Sequence, residues 1–275
     1  MKVKVIGKGW IGSIIANHFD AEFIESNALD LWGLLHEIGQ NPPDVIINCA
    51  GKCGSPNIDW CSKTKENREL TTYVNTYAPF NIHEACRRFG VKFVHLSSGC
   101  LWSSGRGVTE EHDPDLPSFY SETKYNGDLR LQDTDAIMIR LRMPIDGTPD
   151  PRNLITKLTK YPRVISYPNS ITYIPDMIDA INHLIKNDQS GVFNVANEGF
   201  VTGEDIIESY KKHVDPDHSV EYVSMLDLAK NRLVTDGRSN CILSGDKLEG
   251  TGFTMPSAED RLDLAMREYG KALKG

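Results

Sequence analysis

VKVIGKGWIG, residues 3–12, sets a short β-branched run against a turn holding three glycines, and the apolar residues of WIGSIIANHF (10–19) then recur at helical spacing. The stretch reads as strand, glycine turn, helix. Gly7-Lys8-Gly9-Trp10-Ile11-Gly12 fits G-x-G-x-x-G at the one place in a fold where that spacing has a mechanism. Gly7 permits the tight turn, Gly9 lets a pyrophosphate approach the backbone, and Gly12 lets the helix pack on the strand. The turn Gly7–Gly12, with Trp10 and Ile11 opening the helix, is therefore expected to hold a dinucleotide.

The same alternation continues outward. AEFIES (21–26) reads as a strand, LDLWGLLHEIG (29–39) as a helix ended by Gly39, and PPDVIINCAG (42–51) as a strand announced by prolines. A long helical region runs from Lys63 to Gly90 before the strand VKFVHLSS (91–98), followed by the helix SFYSETKYNGDLRL (118–131) and the strand DAIMIRLRMP (135–144). Strands apolar on both faces that alternate with helices imply a parallel sheet covered on both sides. The fold class expected is α/β, a Rossmann-type doubly wound parallel sheet over residues 1–145. Beyond Pro144 the texture changes to short mixed pieces, and residues 146–275 read as a smaller substrate-binding lobe with elements returning to the sheet. The last helix there is opened by the capping sequence SAED.

Two further positions bear on the dinucleotide. Glu25, at the end of the second strand, suits a ribose 2′-hydroxyl and hence NAD, while Ser26 and Asn27 beside it tolerate a 2′-phosphate, so the choice of coenzyme stays open. Asn48, Ala50 and Gly51 end the third strand with small residues, as expected where a backbone passes an adenine or ribose.

Composition limits the partners. The 275 residues carry a formal charge of -8, with 40% hydrophobic and 25% charged residues, which argues against nucleic acid or an anionic membrane. No apolar run approaches the roughly 20 residues of a spanning helix, and the N-terminus reads as a strand rather than a signal, so a cytoplasmic location is expected. Six scattered cysteines and eight histidines show no metal spacing, and no metal is expected. Trp60, Tyr167 and Tyr173 read as packing residues.

The chemistry gathers around HLSSGCLW (95–102), a buried strand that stops in Ser-Ser-Gly and then a cysteine. Tyr120 and Lys124 in FYSETKY lie four apart, hence on one helix face, where an ammonium lowers the pKa of a phenol. A glycine fingerprint, a Ser-Ser-Gly strand end and a Tyr-x-x-x-Lys helix, in that order, resemble the extended, sugar-nucleotide branch of the short-chain dehydrogenase/reductase superfamily. The resemblance implies that Ser98 orients a carbonyl, Tyr120 gives or takes the proton, and Lys124 binds the nicotinamide ribose.

The stretches SPNIDWCSK, SSGCLW, SFYSETKY, LRMPI, PRNLITKLTKY, PNSITYIPDMI, GVFNVANEGFVTGEDI and RSNCILSGDKL are similar to those of the nucleotide-rhamnose synthases, dTDP-4-dehydrorhamnose reductase-like 3,5-epimerase/4-reductases. That resemblance implies NADPH, with NADH as the alternative, and a UDP-4-keto-6-deoxy-D-glucose substrate converted to UDP-L-rhamnose. The protons at C3 and C5 both flank the C4 carbonyl and become acidic once it is polarised. Inversion needs a base on one face and an acid on the other. Cys100, two residues past Ser98, is the base expected, since nearby cationic groups can lower a thiol from its reference value of about 8.5 into the range of a base. Lys157 matches the lysine that the family places across the sugar, and becomes the expected acid. Arg238 suits a diphosphate clamp, with a surface salt bridge as the competing reading, and Asn153 suits a sugar hydroxyl. A homodimer through helices on the sheet face is common in such folds. Competing readings are a 4-reductase alone, with an idle Cys100, and a non-catalytic nucleotide-binding regulatory subunit.

Overall fold

The β-branched run at the N-terminus forms β1 (Val3–Ile6), buried at every position, and the glycine turn delivers the chain into α1 (Trp10–Phe19). There follow β2 (Glu22–Phe23), α2 (Leu31–Gln40), β3 (Val45–Asn48), α3 (Asp59–Lys63) and α4 (Lys65–Thr72). A π turn at Tyr73–Tyr77 leads into α5 (Ala78–Arg88), then β4 (Lys92–Leu96), β5 (Ser104–Val108), α6 (Phe119–Leu131) and β6 (Ile137–Leu141). The remainder is β7 (Pro144–Ile145), α7 (Leu154–Lys160), β8 (Arg163–Ile165), β9 (Thr172–Tyr173), α8 (Ile174–Lys186), β10 (Gly191–Val195), α9 (Gly203–His213), β11 (Glu221–Val223), α10 (Met225–Lys230), β12 (Asn240–Leu243), α11 (Asp246–Glu249) and α12 (Ala258–Ala272). The computed structural model describes residues 1–230 and 234–274.

The chain forms two compact units. The first comprises residues 1–101, 114–140 and 181–193. Its sheet has the order β2-β1-β3-β4-β6-β10, and the pairs from β2 through β6 are all parallel. The winding reverses between β1 and β3, so a crevice opens beyond their carboxyl ends where the Gly7 turn and Ala50 lie. Helices lie against this sheet, and Ile6, Leu34, Ile46, Ile82, Phe93 and Met138 belong to one buried cluster. Each such side chain removed from water stabilises the unit by roughly 1.5–3 kcal/mol.

Two sequence expectations shift here. The helix α2 does not stop at Gly39 but runs on to Gln40, because Gly39 serves packing rather than termination: a Cβ there would lie 2.7 Å from the Phe89 ring. The long helical region from Lys63 is interrupted by the π turn, which adds a residue and re-aims Asn75.

The second unit comprises residues 102–113, 141–180 and 194–275. It contains three parallel strand pairs, β7 with β9, β8 with β11 and β5 with β12, and a core that includes Ile155, Tyr173, Ile206, Leu262 and Met266. Thr202 and Asp205 close a capping box at the start of α9, and Ser257 caps α12 by accepting from the Asp260 N–H. A boundary at residue 145 therefore misplaces residues 102–113. They sit in the second unit because β5 finds its partner in β12, and residues 181–193 conversely lie in the first. Tyr167 is exposed rather than packed, whereas Tyr173 is in the core.

Candidate active site

The Ser-Ser-Gly-Cys turn leaves β4 at its carboxyl end, and α6 is stapled to it. Ser118 caps α6 by accepting from the Ser121 N–H at 3.1 Å, and the Ser121 hydroxyl in turn donates to the Cys100 carbonyl at 2.6 Å. The helix face carrying Tyr120 and Lys124 is thereby fixed against the strand end. Ser98, almost fully buried, accepts from the Cys100 N–H at 3.1 Å and is near enough to the Tyr120 phenol to favour its ionised form. Burial is the largest influence on that phenol and pushes its pKa above the ordinary value. The neighbouring Cys100 adds to the effect and Ser98 opposes it. Ser98, Cys100, Tyr120 and Lys124 are thus brought together in the first unit.

Lys124 is buried, 3% exposed, and its ammonium donates to the Leu96 carbonyl at 2.9 Å. Loss of water lowers its pKa from 10.5 to about 8, against the opposing charges of Asp128 and Cys53. Asp128 is itself buried and paired: Arg140 Nε donates to it at 3.1 Å, and the Ser97 hydroxyl bonds its other oxygen.

Three participants escaped sequence reasoning. His95, fully buried in β4, lies 3.4 Å from Lys124 Nζ through Nε2 and 3.0 Å from Asn48 Nδ2 through Nδ1. Asn75, in the π turn, accepts from the Lys52 N–H at 2.8 Å and donates to the Lys52 carbonyl and to the Thr123 hydroxyl, so it ties the loop after β3 to α6 beside Lys124. The approach is close: a Cβ on Gly127 would lie 2.4 Å from the Asn75 carbonyl oxygen. Cys53, exposed on that loop, is near enough for its charge to bear on both Tyr120 and Lys124. The π turn is the only one of the three with a kind of local signal, the TYVNTYAP run in which proline opens α5.

The glycine turn fits a dinucleotide. Gly7 has φ +100, and a Cβ there would stand 2.6 Å from the Ala50 N. One on Gly12 would stand 2.0 Å from the Gly7 carbonyl oxygen. Gly9 is the N-cap of α1, with no side chain satisfying the helix end, which leaves the role of counter-charge to a bound anion. Trp10 and Ile11 open the helix. Asn48 turns its side chain inward to the Ala50 N–H and His95 and is wholly buried, which leaves Ala50 and Gly51 as the accessible residues at this strand end. Glu25 does not stand open for a ribose: both of its carboxylate oxygens accept from Lys8 Nζ at 2.7 Å. The N–H groups of Glu25 and Ser26 are held by the carboxylate of Glu37.

In the second unit Lys157 is half-buried on α7, near enough to Asp150 to help depress its carboxyl pKa, although Arg152 has the larger part in lowering it. Arg238 donates to the Asp236 carbonyl at 2.8 Å. The segment that carries it is held by Arg142, fully buried, whose guanidinium reaches the Ser239 and Cys241 carbonyls. Asn153 departs from its expected role. Its amide donates to Asp146 and Thr148 and accepts from the Ile155 N–H as the N-cap of α7, with no exposed surface left for a sugar hydroxyl.

Residues 7–139 match the NAD dependent epimerase/dehydratase family. The match spans just under half of the chain. Two curated relatives from Arabidopsis thaliana extend the likeness past the family domain. The trifunctional UDP-glucose 4,6-dehydratase/UDP-4-keto-6-deoxy-D-glucose 3,5-epimerase/UDP-4-keto-L-rhamnose-reductase RHM3 is 30% identical over 95% of this chain, which spans 41% of that protein's length. The bifunctional dTDP-4-dehydrorhamnose 3,5-epimerase/dTDP-4-dehydrorhamnose reductase is 29% identical over 89% of this chain and 85% of its own. Among solved structures, the L780 UDP-rhamnose synthase from Acanthamoeba polyphaga mimivirus superposes with a TM-score of 0.90 at 26% identity, covering 98% of this chain and 99% of that one. These relatives are enzymes of nucleotide-sugar metabolism. No helix among the described residues is long and apolar enough to cross a membrane.

Proposed function

We propose that the protein is a cytoplasmic bifunctional enzyme that epimerises UDP-4-keto-6-deoxy-D-glucose at C3 and C5 and reduces the C4 ketone with NADPH, giving UDP-L-rhamnose. The observation that carries the reading is the Ser98–Cys100 turn fixed against the helix of Tyr120, so that a hydroxyl and a thiol both bear on the same phenol. A reductase alone needs the hydroxyl pair. A base beside the carbonyl site is the additional element that epimerisation demands, and the 85% coverage of a bifunctional epimerase/reductase supports the same conclusion.

In this reading Ser98 and Tyr120 donate to the C4 carbonyl oxygen and stabilise the enolate that forms when a neighbouring C–H proton leaves. The Cys100 thiolate takes that proton and becomes the thiol. The Lys157 ammonium returns one to the carbon and becomes the amine, so each inversion is neutral in protons once the two groups re-equilibrate with water. Arg238 meets the diphosphate. The nicotinamide, when bound, supplies a hydride. Tyr120 then gives its proton to the C4 oxygen, and Lys124 holds the ribose and steadies the phenolate. The Gly7–Gly12 turn with Trp10, Ile11, Asn48, Ala50 and Gly51 receives the dinucleotide, NADPH or NADH.

Incubation with UDP-4-keto-6-deoxyglucose and NADPH in deuterated water tests the proposal. The product expected is UDP-L-rhamnose carrying deuterium at C3 and C5, and Cys100→Ala is expected to lose that incorporation while still reducing an already epimerised ketone. Reduction of the ketone without deuterium at either carbon would establish a 4-reductase alone.

A further inference from the structure

The hydrogen bonds beneath Lys124 fix where the protons are. The Ala50 N–H donates to Asn48 Oδ1 at 3.0 Å, which leaves Asn48 Nδ2 as the atom facing His95 Nδ1 at 3.0 Å. Rotating the amide by half a turn would set an NH2 against the Ala50 N–H, two donors face to face, so the orientation follows from the backbone. An amide nitrogen only donates. His95 Nδ1 must therefore accept and carries no proton. The ring is fully buried and its pKa is pushed well below 6.5, first by loss of water and then by the charge of Lys124, so it is neutral and its single proton sits on Nε2. That N–H points at Lys124 Nζ, 3.4 Å away.

An ammonium has three donors and no lone pair, so it gains nothing from a second donor. A free amine accepts the Nε2–H bond. We propose that Asn48 and His95 act as a tautomer lock, holding an N–H against Lys124 so that the lysine is rewarded for losing its proton and relieved of a donor–donor contact when it does. Resting on the proposed role of Tyr120, the lock makes Lys124 the group that re-protonates the phenolate: the ammonium N–H breaks, the tyrosine O–H forms, and the amine left behind takes the bond from His95. The other charged or titratable groups facing Lys124 are Tyr120 and Asp128 on its own helix, with Arg140 paired to the latter, and Cys53 on the loop after β3. Asp128 and Cys53 favour the ammonium, and burial and His95 oppose it. His95 is thus a positioning residue rather than a catalytic one.

The lock is tested without turnover, by nitrogen-15 NMR of the histidine ring and carbon-13 NMR of the lysine side chains in the whole protein. In the wild type His95 is expected as the Nε2–H tautomer, unchanged between about pH 6 and pH 9, with Lys124 titrating near its value of about 8. Asn48→Asp accepts from Nδ1 and should flip the tautomer, turning Nε2 into an acceptor and raising the Lys124 midpoint by about one unit or more. Asn48→Ala frees the ring to flip and should move the midpoint in the same direction with no added charge. A wild-type Nδ1–H tautomer overturns the lock, and so does a flipped tautomer in either variant that leaves Lys124 titrating where it did. The lock with no turnover of the keto sugar nucleotide would instead overturn the functional reading alone.

Discussion

Burial of Lys124 makes the wild-type protein's stability depend on pH in a way that Lys124→Met should erase. The folded lysine has a pKa of about 8, against 10.5 for an exposed one. Below about pH 8 both states bind the proton and the folded state bears the whole penalty, roughly 2.5 units or about 3 kcal/mol. Between about 8 and 10.5 the unfolded chain binds more protons than the folded one, so stability rises with pH across that window. Integrating the linkage from about pH 7 to about pH 9.5, the wild type should gain roughly 2 kcal/mol from this residue alone. Titrating groups that Lys124 does not touch are shared with the variant and cancel in the difference. The assay is urea unfolding of both proteins at the two pH values. The wild type should close on, or overtake, the variant by about 2 kcal/mol as pH rises. Parallel pH dependences would refute the claim that Lys124 is a desolvated ammonium in the resting protein.

Gly12→Ala places a Cβ 2.0 Å from the Gly7 carbonyl oxygen and should weaken dinucleotide binding, read by NADPH fluorescence, by about tenfold or more, since relieving such a clash costs roughly 1–3 kcal/mol. Asp128→Ala removes the buried carboxylate partner of Arg140 and should lower stability by about 3–5 kcal/mol, seen as a fall in the urea midpoint. Lys8→Ala releases the Glu25 carboxylate to face the adenosine ribose. The ratio of NADPH to NADH affinity should fall several-fold, by about the 1 kcal/mol of an exposed charge, and an unchanged ratio would remove Lys8 and Glu25 from coenzyme choice.

What the sequence reveals here is what is local or ordered along the chain. The strand–glycine–helix at Val3–Gly12 carries its own geometry, and Ser98, Tyr120 and Lys124 stand out through their order. His95 does not, because its meaning comes from Lys124 29 residues away and from Asn48 47 residues away, and a lone histidine in an apolar strand reads as core. Glu25 reads as a ribose ligand because nothing in its neighbourhood discloses that Lys8, 17 residues earlier, folds over it. Asn153 was legible and misread: an asparagine directly before an apolar helical run is a strong N-cap signal, and that local bond uses its carbonyl. The segment 102–113 was invisible for a different reason. Its strand, SGRGV, has none of the apolar alternation that marks a half-buried strand, and its partner lies far downstream.

That pairing of β5 with β12 sets a timetable for biosynthesis. Ser104 leaves the ribosome 136 residues before its partner Asn240. At about 5–20 residues per second, β5 waits roughly 7 to 27 seconds with its backbone groups unpaired. A waiting strand is a template for the wrong neighbour, on the same chain or another. The composition that hid β5 from sequence reading equips it for the wait: two glycines, an arginine, no large apolar side chain, and four of five residues exposed even in the folded protein. Replacing Gly105 and Gly107 with valine would make the strand easier to recognise on paper and a worse companion for a crowded nascent chain.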